Sequence, residues 1–294
     1  MKGMKHLFIE KNRQHTIKNE IDYKGIALHS GADAYIKIKE APADSGIIFR
    51  RMDLQGKPYL KVKPSSVVDS RRCTTLGRKD KTDVRISTVE HLMAAIWASD
   101  LDNLMIEVDG PEIPVADGSA APFFDLLQSA GKKEQKKNLF VFSIDRPLFA
   151  RNGGSYITIL PYDGFKISYT LDYDHPAVGT SFFEYDSKKD DFRDDLSRAR
   201  TFGFEREIER LHKNGLALGG SLDNAVLIGN EKAINPMRFK NEFARHKVLD
   251  IVGDMALNGR IEGHIIAVKS GHSLHVELAA LIREKMIEEE KKIG

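Results

Sequence analysis

His246, Asp250 and Asp254 follow one another at four-residue intervals in the stretch Asn241-Glu-Phe-Ala-Arg-His-Lys-Val-Leu-Asp-Ile-Val-Gly-Asp-Met-Ala-Leu257. On a helix that spacing puts all three on one stripe, with successive β-carbons roughly 5–6 Å apart. An imidazole and a carboxylate so placed can close on one divalent cation, which makes His246 and Asp250 a candidate ligand pair. Asp254, a turn further on, suits a supporting role, hydrogen-bonding a group of the site rather than joining the ligands. The same spacing also reads as the solvated face of an ordinary surface helix, since short motifs carry false positives. A metal centre therefore needs a third ligand and an acid–base pair from elsewhere in the chain.

Ser87-Thr-Val-Glu-His-Leu92 offers such a ligand and one member of such a pair. His91 falls in the first turn of an expected helix, where the helix dipole favours a neutral, metal-binding imidazole. A satisfied polar histidine at a helix end fits the position equally. Glu90 beside it can act as a general base, yet Ser87-x-x-Glu90 also matches a capping box. His272 lies in Lys269-Ser-Gly-His272, a turn from which it can point into a cleft or into solvent. Thr201 offers a hydroxyl where Arg200-Thr-Phe-Gly-Phe204 opens a helix, or simply caps that helix. Gly219-Gly220 lacks the spacing of a phosphate-binding loop.

The elements that must position these residues come from periodicity. Phe243, Val248, Leu249, Ile251, Val252, Met255 and Leu257 give residues 241–257 an amphipathic helical pattern, stopped by Asn258-Gly259. In 34–40, Ile36 and Ile38 alternate with Lys37 and Lys39 as in a half-buried strand. Leu28-His-Ser-Gly31 is a tight polar break. Helices are expected at 87–98 and 119–130, a strand at 101–108, and a charged linker at 131–137. After it, strands at 156–160 and 165–172, the 241–257 helix, a strand at 264–269 and a long helix from Ser273 repeat the order of the first half. The chain is therefore expected to form two similar α+β domains, 1–131 and 132–294, each packing two helices on a sheet. Residues from about 174 to 236 read as an insertion with its own helix (204–213) and strand (224–228).

Composition narrows the function. With 45 basic and 43 acidic residues in 294 the chain lacks the lopsided basic footprint of a nucleic-acid binder. One cysteine, Cys73, allows no internal disulfide; it reads as a small buried hydrophobe in a reducing compartment. The first eleven residues lack the apolar run of a signal peptide, and no stretch approaches the ~18 apolar residues of a membrane span. A cytoplasmic location is expected. The absence of His-Glu-x-x-His, Gly-x-Ser-x-Gly and Walker motifs removes support for the common metalloprotease, serine-hydrolase and nucleotide-hydrolase readings.

Five motifs, in order and over nearly the whole chain, resemble one family. They are Ser87-Thr-Val-Glu-His-Leu92, Pro111-Glu-Ile-Pro-Val-Ala-Asp-Gly-Ser-Ala-Ala-Pro-Phe123, Arg198-Ala-Arg-Thr-Phe-Gly-Phe204, Arg245-His-Lys-Val-Leu-Asp-Ile-Val-Gly-Asp254 and Lys269-Ser-Gly-His272. The family is the UDP-3-O-acyl-N-acetylglucosamine deacetylases of lipid A biosynthesis in Gram-negative bacteria. The resemblance implies two α+β domains with their helices sandwiched between the sheets, an insertion in each, and one catalytic zinc (or iron in the cell). It implies His91, His246 and Asp250 as metal ligands, Glu90 as general base, and His272 assisting the oxyanion and leaving amine with Asp254 as its carboxylate partner. Thr201 would aim its hydroxyl at the oxyanion. Lys247 and Lys269 would meet the nucleotide sugar, Phe202 would line the sugar and acyl path, and Tyr173 would stack on uracil in a place where phenylalanine is expected. Leu28 and His29 would add substrate contacts. Phe202, Phe204, Leu211, Leu216 and Leu218 read either as an acyl passage or as ordinary core. The implied enzyme works as a monomer on a small-molecule lipid precursor. Two rivals are a zinc amidase for another N-acetylated sugar and an inactive nucleotide-sugar or acyl-binding protein.

Overall fold

The computed structural model describes residues 7–293; the first six residues, part of the stretch read as lacking a signal peptide, lie outside the described residues. The first half contains β1 (Phe8–Ile17), β2 (Ile21–Ile26), β3 (Asp33–Glu40), β4 (Ile47–Arg51), β5 (Tyr59–Lys61), β6 (Val67–Asp69), β7 (Thr75–Arg78), β8 (Lys81–Ile86), α1 (Glu90–Ala98), β9 (Leu104–Asp109) and α2 (Ala121–Ala130). The second contains β10 (Lys132–Ser143), β11 (Leu148–Asn152), β12 (Ser155–Leu160), β13 (Phe165–Asp172), β14 (Thr180–Asp186), β15 (Phe202–Phe204), α3 (Glu205–Lys213), β16 (Val226–Ile228), α4 (Glu242–Met255), β17 (Ile261–Val268) and α5 (His272–Ile293). The fold is mixed α+β, with several sheets and few helices.

One sheet has the strand order β2-β3-β9-β4-β5. The larger, seven-stranded sheet contains β11-β12-β17-β13-β14, extended by β10 and β1. The five strands correspond one for one. In each set the last strand of the half runs antiparallel to the second (β9 to β3, β17 to β12) and parallel to the third (β9 to β4, β17 to β13). Period-two patterning sets the buried faces: Ala34, Ile36 and Ile38 of β3 and Ile261, Ile265 and Ala267 of β17 point inward. Two small sheets stand apart, β6-β7-β8 and the parallel pair β15-β16.

The charged run 131–137 is not a linker. It is the start of β10, paired antiparallel with β1 from Ile17↔Lys132 to Phe8↔Phe142. Lysine and glutamate side chains are tolerated there because this part of the ribbon is largely exposed, and the backbone ladder supplies its cohesion. The Phe8 and Phe142 rings, 5.1 Å apart, anchor its apolar end.

α1 and α4 are buried almost all round, as helices in a protein interior must be. They pack on each other; α2 lies against α1 and α5 against α4. Gly253 makes the close approach feasible: a Cβ there would sit 2.0 Å from the carbonyl oxygen of Glu90. Gly253→Ala should consequently destabilise the fold by at least about 2 kcal/mol, because backbone cannot yield as a side-chain tip can. An unchanged denaturation midpoint would show that the two helices have more slack than this contact implies.

Candidate active site

The α1–α4 contact brings together side chains 155 to 159 residues apart in sequence. His91 Nε2 lies 3.7 Å from Asp250 Oδ1, and His246 Nε2 lies 3.4 Å from the same oxygen. All three residues are buried, and their ligand atoms lie within 4.8 Å of one another, a group able to hold a metal ion. The donor atoms fit such an ion. Asp250 Oδ1 is buried with no hydrogen-bond partner among the described residues, an acceptor facing two imidazole nitrogens. His246 Nδ1 lies 3.0 Å from the carbonyl oxygen of Ala199. A carbonyl only accepts, so Nδ1 carries the proton and Nε2 presents its lone pair to the centre. Burial holds the His246 pKa down, to about 3, which keeps the ring neutral. Burial works against the charge of Asp250, but the cations of Lys247 and His272 outweigh it and hold its carboxyl well below the usual range.

Beside this group stands a second cluster. Asp254 Oδ2 accepts from Nδ1 of both His272 and His275 at 2.8 Å, and Oδ1 accepts from the Thr74 hydroxyl at 2.5 Å. Those are hydrogen-bond separations, and the Asp254 oxygens are satisfied by protons. His275 in turn lies 3.0 Å from Ser270 Oγ through Nε2. Burial disfavours charge on both His272 and Asp254, yet their mutual attraction prevails. The His272 pKa rises to about 9 with Asp250 adding to Asp254, and that of Asp254 falls to about 2. A cationic His272 turns Nε2 toward Asp250 Oδ2 at 3.7 Å and Glu90 Oε1 at 4.0 Å.

Glu90 is the first residue of α1 and makes no capping box, since the helix begins too late for Ser87 to cap it. Glu90 Oε2 instead accepts the backbone N–H of Thr74 at 3.0 Å, leaving Oε1 toward His272. Burial raises its pKa despite nearby His272 and His91. Thr201 is likewise no helix cap: α3 starts at Glu205 with Phe204 before it. Thr201 lies between backbone bonds to Gly118 and Val226 and lines the cavity.

That cavity, about 810 Å³, takes in Glu90, His91, His246, Asp250 and His272 and runs outward between the small sheets. Leu28, His29, Tyr173, Phe202, Lys247 and Lys269 line it too; Asp254 lies behind it, reached through His272. Lys247 bonds Asp250 Oδ2 at 2.8 Å, and Lys269 bonds Asp172 at 3.0 Å. Phe204 and Leu211 line the wall with Ile208 and Leu222, whereas Leu218 is half exposed. Sequence reading missed Thr74 and His275. His275 carried a signal, three residues after His272 on one helix; Thr74 lies 180 residues from its carboxylate partner and carried none.

A cavity that combines a bare carboxylate oxygen between two imidazoles, a glutamate and a carboxylate-bound histidine belongs to a hydrolytic enzyme. Residues 14–284 match the family model described as UDP-3-O-acyl N-acetylglycosamine deacetylase. A UDP-3-O-acyl-N-acetylglucosamine deacetylase of Acidithiobacillus ferrooxidans is 43% identical over 279 residues, 92% of this chain and 91% of its own. Enzymes of the same name from Citrifermentans bemidjiense and Myxococcus xanthus are 42% and 43% identical over 268 residues, 90% of this chain in both cases and 87% and 84% of theirs. The chain belongs to this family and is a hydrolase of the deacetylase kind.

If His91, His246 and Asp250 together hold an ion, replacing His246 with alanine or Asp250 with asparagine would leave too few ligands to keep it. Metal analysis after dialysis should fall from ~1 equivalent per chain to near zero. Full stoichiometry in either variant would remove these side chains from the ligand set.

Proposed function

We propose that the enzyme hydrolyses the acetamide of UDP-3-O-acyl-N-acetylglucosamine, releasing acetate and the free 2-amino sugar, a step of lipid A biosynthesis. The observation that carries this reading is the bare Asp250 Oδ1 between His91 and His246, with Glu90 and His272 facing the same space. The substrate class comes from the relatives, which carry the name of this activity over most of their length. No helix of the described residues is long and apolar enough to cross a membrane. A monomeric, cytoplasmic enzyme acting on a small lipid precursor, not on nucleic acid, fits the same reading. The two five-strand arrays of one order support two α+β domains, 1–131 and 132–294, with helices between the sheets. The segment with β6–β8 and residues from about 174 to 236 would be their insertions.

His91, His246 and Asp250 would hold one zinc ion, or iron in the cell. When bound, such an ion supplies Lewis-acid polarisation of the amide carbonyl and eases deprotonation of water. Glu90 takes the proton from the attacking water, and burial, by raising its pKa, makes it a better proton acceptor. His272, kept cationic by Asp254 and supported through that carboxylate by Thr74 and His275, donates toward the oxyanion and then to the leaving nitrogen. The Thr201 hydroxyl adds a donor on the cavity wall. Lys247 and Lys269 meet the diphosphate and sugar, Tyr173 offers its ring to uracil, and Phe202, Leu28 and His29 border the sugar. The apolar wall of Phe204, Ile208, Leu211 and Leu222 suits the acyl chain.

Acetate release from the UDP-sugar, abolished by a chelator and restored by metal, is the direct test; no acetate from metal-loaded protein would refute the reading. Glu90→Ala should retain the metal and lose about 10²–10⁴-fold in turnover. Undiminished turnover would take the base role from Glu90. Leu211→Ala should slow long-acyl substrates more than short ones, and an equal loss on both would assign that wall to packing alone.

A further inference from the structure

Residues 199–201 lie across the first turns of α4, and each of them is tied down. The carbonyl of Ala199 accepts from His246 Nδ1 at 3.0 Å. Arg200 gives its backbone N–H (3.0 Å) and Nε (2.9 Å) to Glu242 Oε1, and its Nη2 to Glu242 Oε2 (3.3 Å) and to the carbonyl of Pro236 (2.6 Å). Thr201 gives its N–H to the carbonyl of Gly118 at 2.8 Å and accepts from the N–H of Val226 at 2.8 Å. Glu242 is fully buried, and its remaining capacity is taken by the Arg238 N–H at 2.5 Å. Glu242 and His246 are four residues apart on α4, so the carboxylate and the imidazole grip the same segment one turn apart.

We propose that Glu242 is a positioning residue. Through Arg200 it fixes segment 199–201 against α4, and thereby sets both the tautomer of His246 and the location of the Thr201 hydroxyl. The inference rests on the deacetylase reading for what Thr201 does, but not for how His246 is presented to a metal. A buried ion pair is a poor source of net stability, because desolvating two charges offsets most of their attraction. What this pair supplies is geometry: a planar guanidinium held at two edges cannot swivel, so the residues on either side of it cannot either. If the segment loosens, Ala199 moves off Nδ1, and the proton of His246 is free to move to Nε2, the nitrogen needed for the ion. Neither Arg200 nor Glu242 lines the cavity, so neither touches substrate.

The test uses the whole chain loaded with cobalt(II), read by chelator competition and by its visible absorption spectrum, alongside kcat and KM. Glu242→Gln and Arg200→Lys should bind the metal about 10–100-fold more weakly. They should alter the cobalt spectrum and lower kcat by about tenfold with little change in KM. Combining Glu242→Gln with Thr201→Ala should cost less than the product of the single losses, because both act on one group. Should Glu242→Gln fail to fold, Arg200→Lys, which keeps the buried charge, carries the comparison. Arg51→Lys, altering a buried arginine bonded to Asp53, neither of which lines the cavity, gives the baseline for stability alone. If the clamp variants lower Tm as Arg51→Lys does but keep the wild-type metal affinity and spectrum, the positioning role is overturned. Wild-type protein that binds cobalt yet releases no acetate would sink the deacetylase reading and leave the metal measurements still decisive for Glu242.

Discussion

The approach of α4 to the start of α1 is the constraint on which everything else depends. Gly253 lets the backbone of Glu90 come so near that a methyl group would collide with it. One residue along, His91 then faces Asp250 and His246 one turn back on the other helix. Neither helix gathers the group by itself: α4 supplies His246 and Asp250 at i and i+4, and α1 supplies His91. On the proposed metal reading, affinity for an ion would be coupled to interhelical packing. The folding free energy that holds two apolar helix surfaces together also holds three polar atoms in an arrangement that would repel or disperse in an extended chain.

Gathering that many ionisable groups out of water demands that charges match. Asp250 is balanced by Lys247 on one oxygen and leaves the other for a cation, and Asp254 is balanced by His272 and hydrogen-bonded by His275 and Thr74. Glu90 has only a backbone N–H on one oxygen, and it is the carboxylate whose proton affinity burial raises. Neighbouring carboxylates thus diverge in behaviour according to their donors: Asp250 and Asp254 are held charged, and Glu90 is the one whose proton affinity rises. On the proposed reading, that divergence separates a ligand from a base.

Much of this was legible in the chain. The His246–Asp250–Asp254 stripe follows from helical periodicity, and α4 spans Glu242–Met255, within two residues of the expected ends. β3 follows from its alternation of isoleucine and lysine. What failed did so where tertiary partners decide. The 131–137 run has the composition of a linker, but β1 gives it a ladder. Ser87-x-x-Glu90 has the letters of a capping box, but the Thr74 N–H takes the glutamate. Thr201 stands before a helix as a cap would, but a short strand intervenes. Thr74 and Glu242 could not be singled out, because what distinguishes them is a partner 180 and 42 residues away.

Anomalous diffraction at the metal edge of crystals of the loaded enzyme tests the central claim most directly. The expected result is a single divalent ion bonded at ~2.0–2.2 Å to one nitrogen each of His91 and His246 and to an oxygen of Asp250. An ion lodged among Asp254, His272 and His275, or held by α4 alone with His91 turned away, would contradict it.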